Sequence, residues 1–352
     1  MSHPVDPVDV KCRPTPKGIE GRTRVAVVGA GSWGTAFARH LALRGISTTL
    51  LSRRSDHAHL MTVQRRNPEY LRTVALPPSL RIDTYNAFDF SQSNLVVLAI
   101  PSRAYAATVE SLRPRLAHGV GILSLTKGLE PGTLRRLSVV LEEGMEGLSP
   151  RVAVLSGPNH AEEVSLDMPT ATVVASRDIQ FACELQELVS DERFRAYVNT
   201  DLVGVEIAAS VKNVIALATG AADGLGFGDN TRAALMTRGL AEMARLGCAV
   251  GADQATFSGL AGMGDLVATC TSRHSRNRLA GELLAKGHSP GEIELQMGMV
   301  AEGLTAAPAV WGLARDLGCD MPITENVVAL IYEGKEIRQA VQDLMGRRPK
   351  AE

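Results

Sequence analysis

Residues 24–44, RVAVVGAGSWGTAFARHLALR, decide the fold. Arg24–Val28 is a short β-rich apolar run, and Trp33–Arg44 carries the spacing of a buried helix stopped by Gly45. Between them lies Gly29-Ala30-Gly31-Ser32-Trp33-Gly34, a GxGxxG at a strand-to-helix turn. The first glycine permits the tight turn, the second lets the backbone approach a pyrophosphate, and the third lets helix and strand pack closely. The helix N-terminus adds N–H groups and the positive end of its dipole, both suited to phosphate oxygens. A glycine turn without a ligand would show the same letters. Its place inside a first β-α-β unit favours a dinucleotide.

Outward from that unit, Ser47–Ser52, Asn94–Ile100, Gly119–Leu125, Val152–Leu155 and Thr170–Ala175 read as further strands, each bounded by turn residues. They are apolar on both faces, as strands buried between helical layers must be. The expectation is an α/β fold: an N-terminal Rossmann-type doubly wound parallel sheet over residues 23–200. Beyond Gly204 the pattern changes to long Ala/Leu-rich segments, Val205–Ala218, Arg232–Leu246, Arg276–Lys286 and Ala306–Leu317, with no further strand. Residues 201–345 are therefore expected to form an all-helical, substrate-binding C-terminal domain. Gly224–Gly228 is expected to be a mobile loop, with Asp229 and Asn230 capping a helix from Thr231. Residues 1–22 carry prolines and charges without an apolar core and read as a flexible tail, not a secretory signal.

Composition narrows the function. Thirty-seven basic and 38 acidic residues give a net charge of −1, so nucleic acid has no global field to follow and any anion site must be local. The strongly apolar runs, such as Leu95–Ile100, fall far short of a membrane span, so no stable membrane insertion is expected. Aromatics are only 4% of the chain, which predicts an aliphatic core. Cys12, Cys183, Cys248, Cys270 and Cys319 are widely spaced and odd in number, which argues for no disulfide framework, no structural zinc and a reducing, cytoplasmic setting.

The second strand ends Ser52-Arg53-Arg54, with no acid until Asp56. An acid there would hold a ribose 2′-hydroxyl; two guanidiniums suit a 2′-phosphate. NADP(H) is favoured, and NAD(H) stays open because two arginines can also solvate a surface turn. Three strands run into chemistry at their carboxyl ends: Ala99–Ser102, Leu125-Thr126-Lys127-Gly128 and Ser156-Gly157-Pro158-Asn159-His160-Ala161. Lys127 suits a phosphate or a ketone oxygen. Lys212 interrupts an apolar helix, Val205–Leu217, that also holds Glu206 and Asn213. Burial and a second cation nearby, with Lys127 the candidate, would lower its pKa toward neutrality and fit it for acid–base work. A lysine snorkelling from a helix edge is the plainer alternative. Asp265 closes a glycine-rich segment, where it either orients that lysine or caps the next helix. Thr271–Arg278, with Ser275, Arg276 and Asn277 at a helix start, reads as a local phosphate receptor in a chain without overall positive charge; a charged helix start with ordinary capping is the plainer alternative.

VGAGSWGTA, SLTKGL, SGPNHAEEV, VKNVIALATG, GDNTRAAL, GMGDL, SRHSRN and VAEG follow one another over about residues 24–340. In that order they resemble the bacterial NAD(P)-dependent glycerol-3-phosphate dehydrogenase family. The resemblance implies reversible hydride transfer between NAD(P)H and dihydroxyacetone phosphate, supplying sn-glycerol 3-phosphate for phospholipid synthesis. It implies that Lys212 is the proton acceptor, with Lys127 and Asp265 completing the catalytic set. Cofactor contacts would fall on Gly29, Gly31, Ser32, Trp33, Gly34, Arg53, Arg54, Lys127, Ala161, Arg276, Val300 and Glu302. Substrate contacts would fall on Lys127, Gly157, Asn159, Lys212, Asp265, Ser275, Arg276 and Asn277. Asn159 is a departure, since the family usually has Ser or Thr after SGP. A helical domain of this kind leaves a homodimer open.

Two other readings compete. A β-hydroxyacid dehydrogenase also joins a Rossmann domain to a helical one around a lysine, but a carboxylate substrate does not require the Ser272–Asn277 array. A non-catalytic NADP(H) sensor would keep the glycine turn and has no need of Lys127, Lys212 and Asp265 together.

Overall fold

The computed structural model describes Cys12 and residues 23–347. Eight strands form one sheet: β1 Arg24–Val28, β2 Ser47–Ser52, β3 Arg81–Thr84, β4 Leu95–Leu98, β5 Gly121–Ser124, β6 Arg151–Ser156, β7 Thr170–Ala175 and β8 Phe194–Asn199. Their spatial order is β3-β2-β1-β4-β5-β6-β7-β8. The chain therefore leaves β1 toward one edge and returns from β3 to lie on the other side at β4. That reversal is the switch point beyond which ligands bind in such sheets.

Six helices cover the sheet: α1 Ser32–Leu43, α2 Ser55–Gln64, α3 Tyr105–Leu112, α4 Leu137–Gly144, α5 Ala161–Ser165 and α6 Ile179–Val189. The two-residue period of a strand sorts side chains between the faces. Val25 and Val27 join the cluster of Phe37, Leu41 and Leu185. Ala26 and Val28 join that of Tyr105, Leu112 and Leu141. Both faces are dry, hence the continuous apolar runs in the central strands.

Three features differ from the sequence expectation. The sheet is not wholly parallel, because β7 runs antiparallel to β6. A parallel return would need a crossover helix as long as the sheet is deep, whereas α5 has five residues and leaves the chain at the same end. β3 (RIDT) and β8 (FRAYVN) were not expected as strands; their side chains alternate or are only half-covered, which hides them from a search for buried runs. Cys12 and Cys183 form a disulfide with Cα atoms 5.6 Å apart, against the expectation drawn from an odd cysteine count. Parity constrains the total and not any one pair. The tail expected over residues 1–22 otherwise lies outside the described residues.

The rest of the chain is helical: α7 Leu202–Gly224, α8 Asp229–Ala249, α9 Gln254–Ser258, α10 Asp265–Thr271, α11 Arg276–Ala285, α12 Pro290–Met297, α13 Glu302–Asp316, α14 Pro322–Tyr332 and α15 Ile337–Met345. No strand follows Asn199 among the described residues. α7 is the axis, with Ile207, Val211, Val214 and Ile215 fully buried among residues of α8, α13 and α14. It is long and apolar enough to cross a membrane, yet 89% of its apolar window is buried inside the protein, as in a core helix. α8 starts at Asp229 with Gly228 as its N-cap, so Asp229 and Asn230 lie inside the helix and do not cap it. Asp229 instead meets Arg232 at 2.7 Å, an acid in a first turn paired with a base one turn later.

Candidate active site

Across the sheet order, the carboxyl ends of β2, β1, β4, β5 and β6 present Arg53, the glycine turn, Ile100–Ser102, Lys127 and Gly157–Asn159 in succession. At the turn, a Cβ on Gly29 would lie 2.3 Å from the Ala99 carbonyl oxygen, and one on Gly34 would lie 1.9 Å from that of Gly29. A Cβ on Gly31 would meet nothing within 4 Å, so it would project into the open cradle above the α1 N-terminus. Two glycines serve backbone packing; the third keeps room for a phosphate. Ser32 opens α1 and is buried, and the indole Nε1 of Trp33 is buried without a hydrogen-bond partner. Ala161 opens α5 and is 8% exposed, packed in the same core cluster as α1.

The two arginines after β2 differ. Arg54 is paired with Glu69 and with Asp56, while Arg53 is exposed. Two ready guanidiniums were expected there; the acids at positions 56 and 69 engage one.

The centre of the site is a buried carboxylate between two lysines. Asp265 is 2% exposed at the start of α10, directly after a π-helical turn over Leu260–Gly264, and it caps nothing because Gly264 holds the cap position. Its Oδ1 accepts from the Lys212 ammonium, and its Oδ2 accepts from Lys127 at 3.2 Å and from the Ser156 hydroxyl at 3.3 Å. Lys212 also donates to Thr269 Oγ1 at 3.0 Å. Burial pushes the Lys212 ammonium down to about 7; the positive charge of Lys127 adds to this, and Asp265 opposes it. Burial alone would raise the Asp265 carboxyl, but the two lysines outweigh it and hold it below the usual carboxylate range. Lys212 is not a snorkelling lysine.

Asn159 shows what the departure from Ser or Thr does. Its Oδ1 accepts from Lys127 at 3.3 Å, and its Nδ2 donates to Thr172 Oγ1 at 2.9 Å. The amide steadies Lys127 with its oxygen and one of its two N–H donors engaged. Gly157, with φ +149°, brings the backbone against Thr172 beside it.

At α11, Ser275 is the N-cap, its Oγ accepting from the Arg278 N–H at 3.2 Å. Arg276 donates to the Val300 carbonyl at 3.1 Å, while Arg278 turns away to Asp223 and Glu282. Asn277 was expected to touch substrate. Its Nδ2 instead donates to Asn213 Oδ1 at 2.9 Å, and its Oδ1 accepts from the Gly303 N–H at 2.8 Å, joining α11 to α7 and α13. The consequence is that Asn213 Nδ2 is left buried without a partner. Glu302, the first residue of α13, likewise keeps a buried Oε2 without one, near Ser102 and Gly128. Burial pushes its carboxyl up to about 7. Sequence reasoning placed Asn213 on the helix but gave it no role, and it missed Thr269; the signals were adjacency to Lys212 and a one-turn spacing from Asp265.

His160 and His274 stand with ring centroids 6.4 Å apart, and no trio of His, Cys, Asp or Glu among the described residues is arranged to hold a metal.

Comparison with known proteins fits this geometry. Profiles of the NAD-dependent glycerol-3-phosphate dehydrogenase N-terminus and C-terminus match residues 24–182 and 201–342. The chain belongs to this family. It is 47% identical over 329 residues to glycerol-3-phosphate dehydrogenase [NAD(P)+] of Chlorobium limicola, covering 93% of this chain and 99% of that one. The corresponding protein of Halalkalibacterium halodurans is 46% identical, covering 93% and 95%. The crystal structure of glycerol-3-phosphate dehydrogenase from Coxiella burnetii superposes with a TM-score of 0.89 at 39% identity, covering 93% of this chain and 99% of that one. The nicotinamide cofactor of glycerol-3-phosphate dehydrogenases fits the residues present here. Gly31 leaves the cradle open, and Trp33 Nε1 and Glu302 Oε2 are buried polar atoms awaiting a partner.

Proposed function

We infer that the protein interconverts sn-glycerol 3-phosphate and dihydroxyacetone phosphate with a nicotinamide cofactor, and that Lys212 is the proton acceptor. One observation carries this: a buried lysine brought near neutral pKa, held by Asp265 and Thr269 beside Lys127. When bound, the nicotinamide takes or returns the hydride at C2. Lys212 takes the C2 hydroxyl proton during oxidation and returns it during reduction. Lys127, steadied by Asn159 and Asp265, places a positive charge toward the C2 oxygen. The N-terminus of α11 with Ser275 and Arg276 receives the phosphate, and Asn213 Nδ2 supplies a donor that Asn277 orients. Gly157 and Asn159 shape the wall opposite.

The glycine turn, Ser32, Trp33, Ala161, Val300 and Glu302 form the cofactor side. NADP(H) is the preferred cofactor, because Arg53 stands exposed after β2 with no acid to accept a ribose 2′-hydroxyl. Arg54, already paired, contributes less. The product serves phospholipid synthesis in the cytoplasm, with neither nucleic acid nor membrane insertion involved.

The test is NADPH oxidation with dihydroxyacetone phosphate, wild type against Lys212→Ala. Turnover lost in the variant with NADPH binding intact is the expected result. Wild type that binds NADPH but ignores the phosphorylated ketone overturns the reading. In parallel, Arg53→Ala should raise KM for NADPH about tenfold and leave that for NADH nearly unchanged.

A further inference from the structure

Glu206 lies six residues before Lys212 on α7, about 9 Å along the axis. Its carboxylate, 6% exposed, points away from the helical core and into the nucleotide domain. There it accepts from the Ser138 N–H at 2.8 Å, from the Ser138 hydroxyl at 2.5 Å and from Arg136 Nη1 at 2.8 Å. Ser138 is the second residue of α4, so Glu206 supplies the anion for the N-terminus of a helix in the other half of the chain. Arg136 also donates to the Ser138 hydroxyl at 2.9 Å, which closes the cluster. Residues 125–136 link β5 to α4; this segment carries Lys127 and is pinned to itself by a bridge between Leu129 and Arg136. One carboxylate thus holds together the helix bearing Lys212 and the segment bearing Lys127.

We propose that Glu206 is a positioning residue for the proton-transfer site, fixing the Lys127–Lys212 separation across the seam between the two halves. Asp265 can bridge both ammonium groups only while that separation is kept. The bridge across a sequence gap of 68 residues has no other evident purpose in the chemistry, since Glu206 touches neither lysine. Truncating it lets α7 and the Lys127 segment drift, and a displacement of about 1 Å at a reacting group costs about 100-fold in rate. The proposal rests on Lys212 being the acid–base group.

The experiment uses the full chain as wild type, Glu206→Gln and Ser138→Ala. The pH dependence of Lys212 acetylation by acetic anhydride, followed by mass spectrometry, reads the ammonium without any substrate. Kinetics with dihydroxyacetone phosphate and NADPH are run alongside. Expected for Glu206→Gln are an acetylation midpoint raised by about one unit toward the ordinary lysine value, kcat down about 100-fold and NADPH affinity within about twofold. Ser138→Ala keeps the backbone donor and serves if Glu206→Gln does not fold; it should move both readouts in the same direction by less. A lowered melting temperature with Lys212 acetylation and kcat unchanged overturns the proposal and leaves Glu206 a structural tie. Wild type inactive on the phosphorylated ketone overturns only the functional reading, because the acetylation midpoint judges the clamp independently.

Discussion

Two ammonium groups share one carboxylate at Asp265, so one of them gives up its proton readily, and burial selects Lys212. The pH dependence follows in sign. Oxidation of glycerol 3-phosphate needs Lys212 neutral, so its kcat should rise as pH climbs through about 7. Reduction needs the same lysine protonated and should fall over that window. Lys127→Ala removes the like charge and should carry both midpoints upward, beyond whatever it does to binding; pH profiles of kcat in each direction read this. Profiles centred near 10 in the wild type would contradict it. Lys212 was legible in the sequence because a lysine inside an apolar helix is anomalous. Asn213 was not, because its role arises from Asn277 turning to Gly303, a relation between three helices that no local pattern records.

Among the elements, two contacts bear most directly on where helices stand. Glu242 of α8 accepts from the Ile323 N–H at 2.6 Å and from the N–H and hydroxyl of Thr324, holding the first turn of α14. Burial pushes its carboxyl up to about 7. A carboxyl near 4.3 unfolded and about 7 folded binds more proton in the native state between those values. Stability should therefore fall as pH rises through that window. Glu242→Gln should flatten that slope in urea titrations, and Glu242→Leu, which strands two buried N–H groups, should cost about 2–4 kcal/mol. Gly281 of α11 lies so close to α7 that a Cβ would sit 2.1 Å from the Leu217 carbonyl oxygen. Gly281→Ala should push α11 outward, carrying Asn277 from Asn213, and raise KM for the phosphorylated substrate before it lowers stability; steady-state kinetics beside thermal melts separate the two. The central strands were readable because both faces are buried, whereas β3 and β8 sit at edges, where Arg81, Asp83 and Arg195 interrupt the pattern. The reversal at β7 depends on the brevity of α5, which composition does not announce.

At the scale of the whole molecule, the alternating strands and the continuous helices each gather an apolar cluster. The seam along α7, where Glu206 and Lys127 meet partners from the other half, was invisible because it joins residues about 70 or more positions apart. So was the pairing of Cys12 with Cys183, across 171 residues. That bond makes the chain from residue 12 to residue 183 a closed ring with the helical half hanging from it as a tail. A polymer ring cut once becomes a line without losing a piece. A protease nick anywhere between residues 13 and 182 should leave a single species of full mass on a non-reducing gel, and two fragments once thiol is added. The Cys12→Ser protein, cut at the same place, should fall into two fragments on both gels.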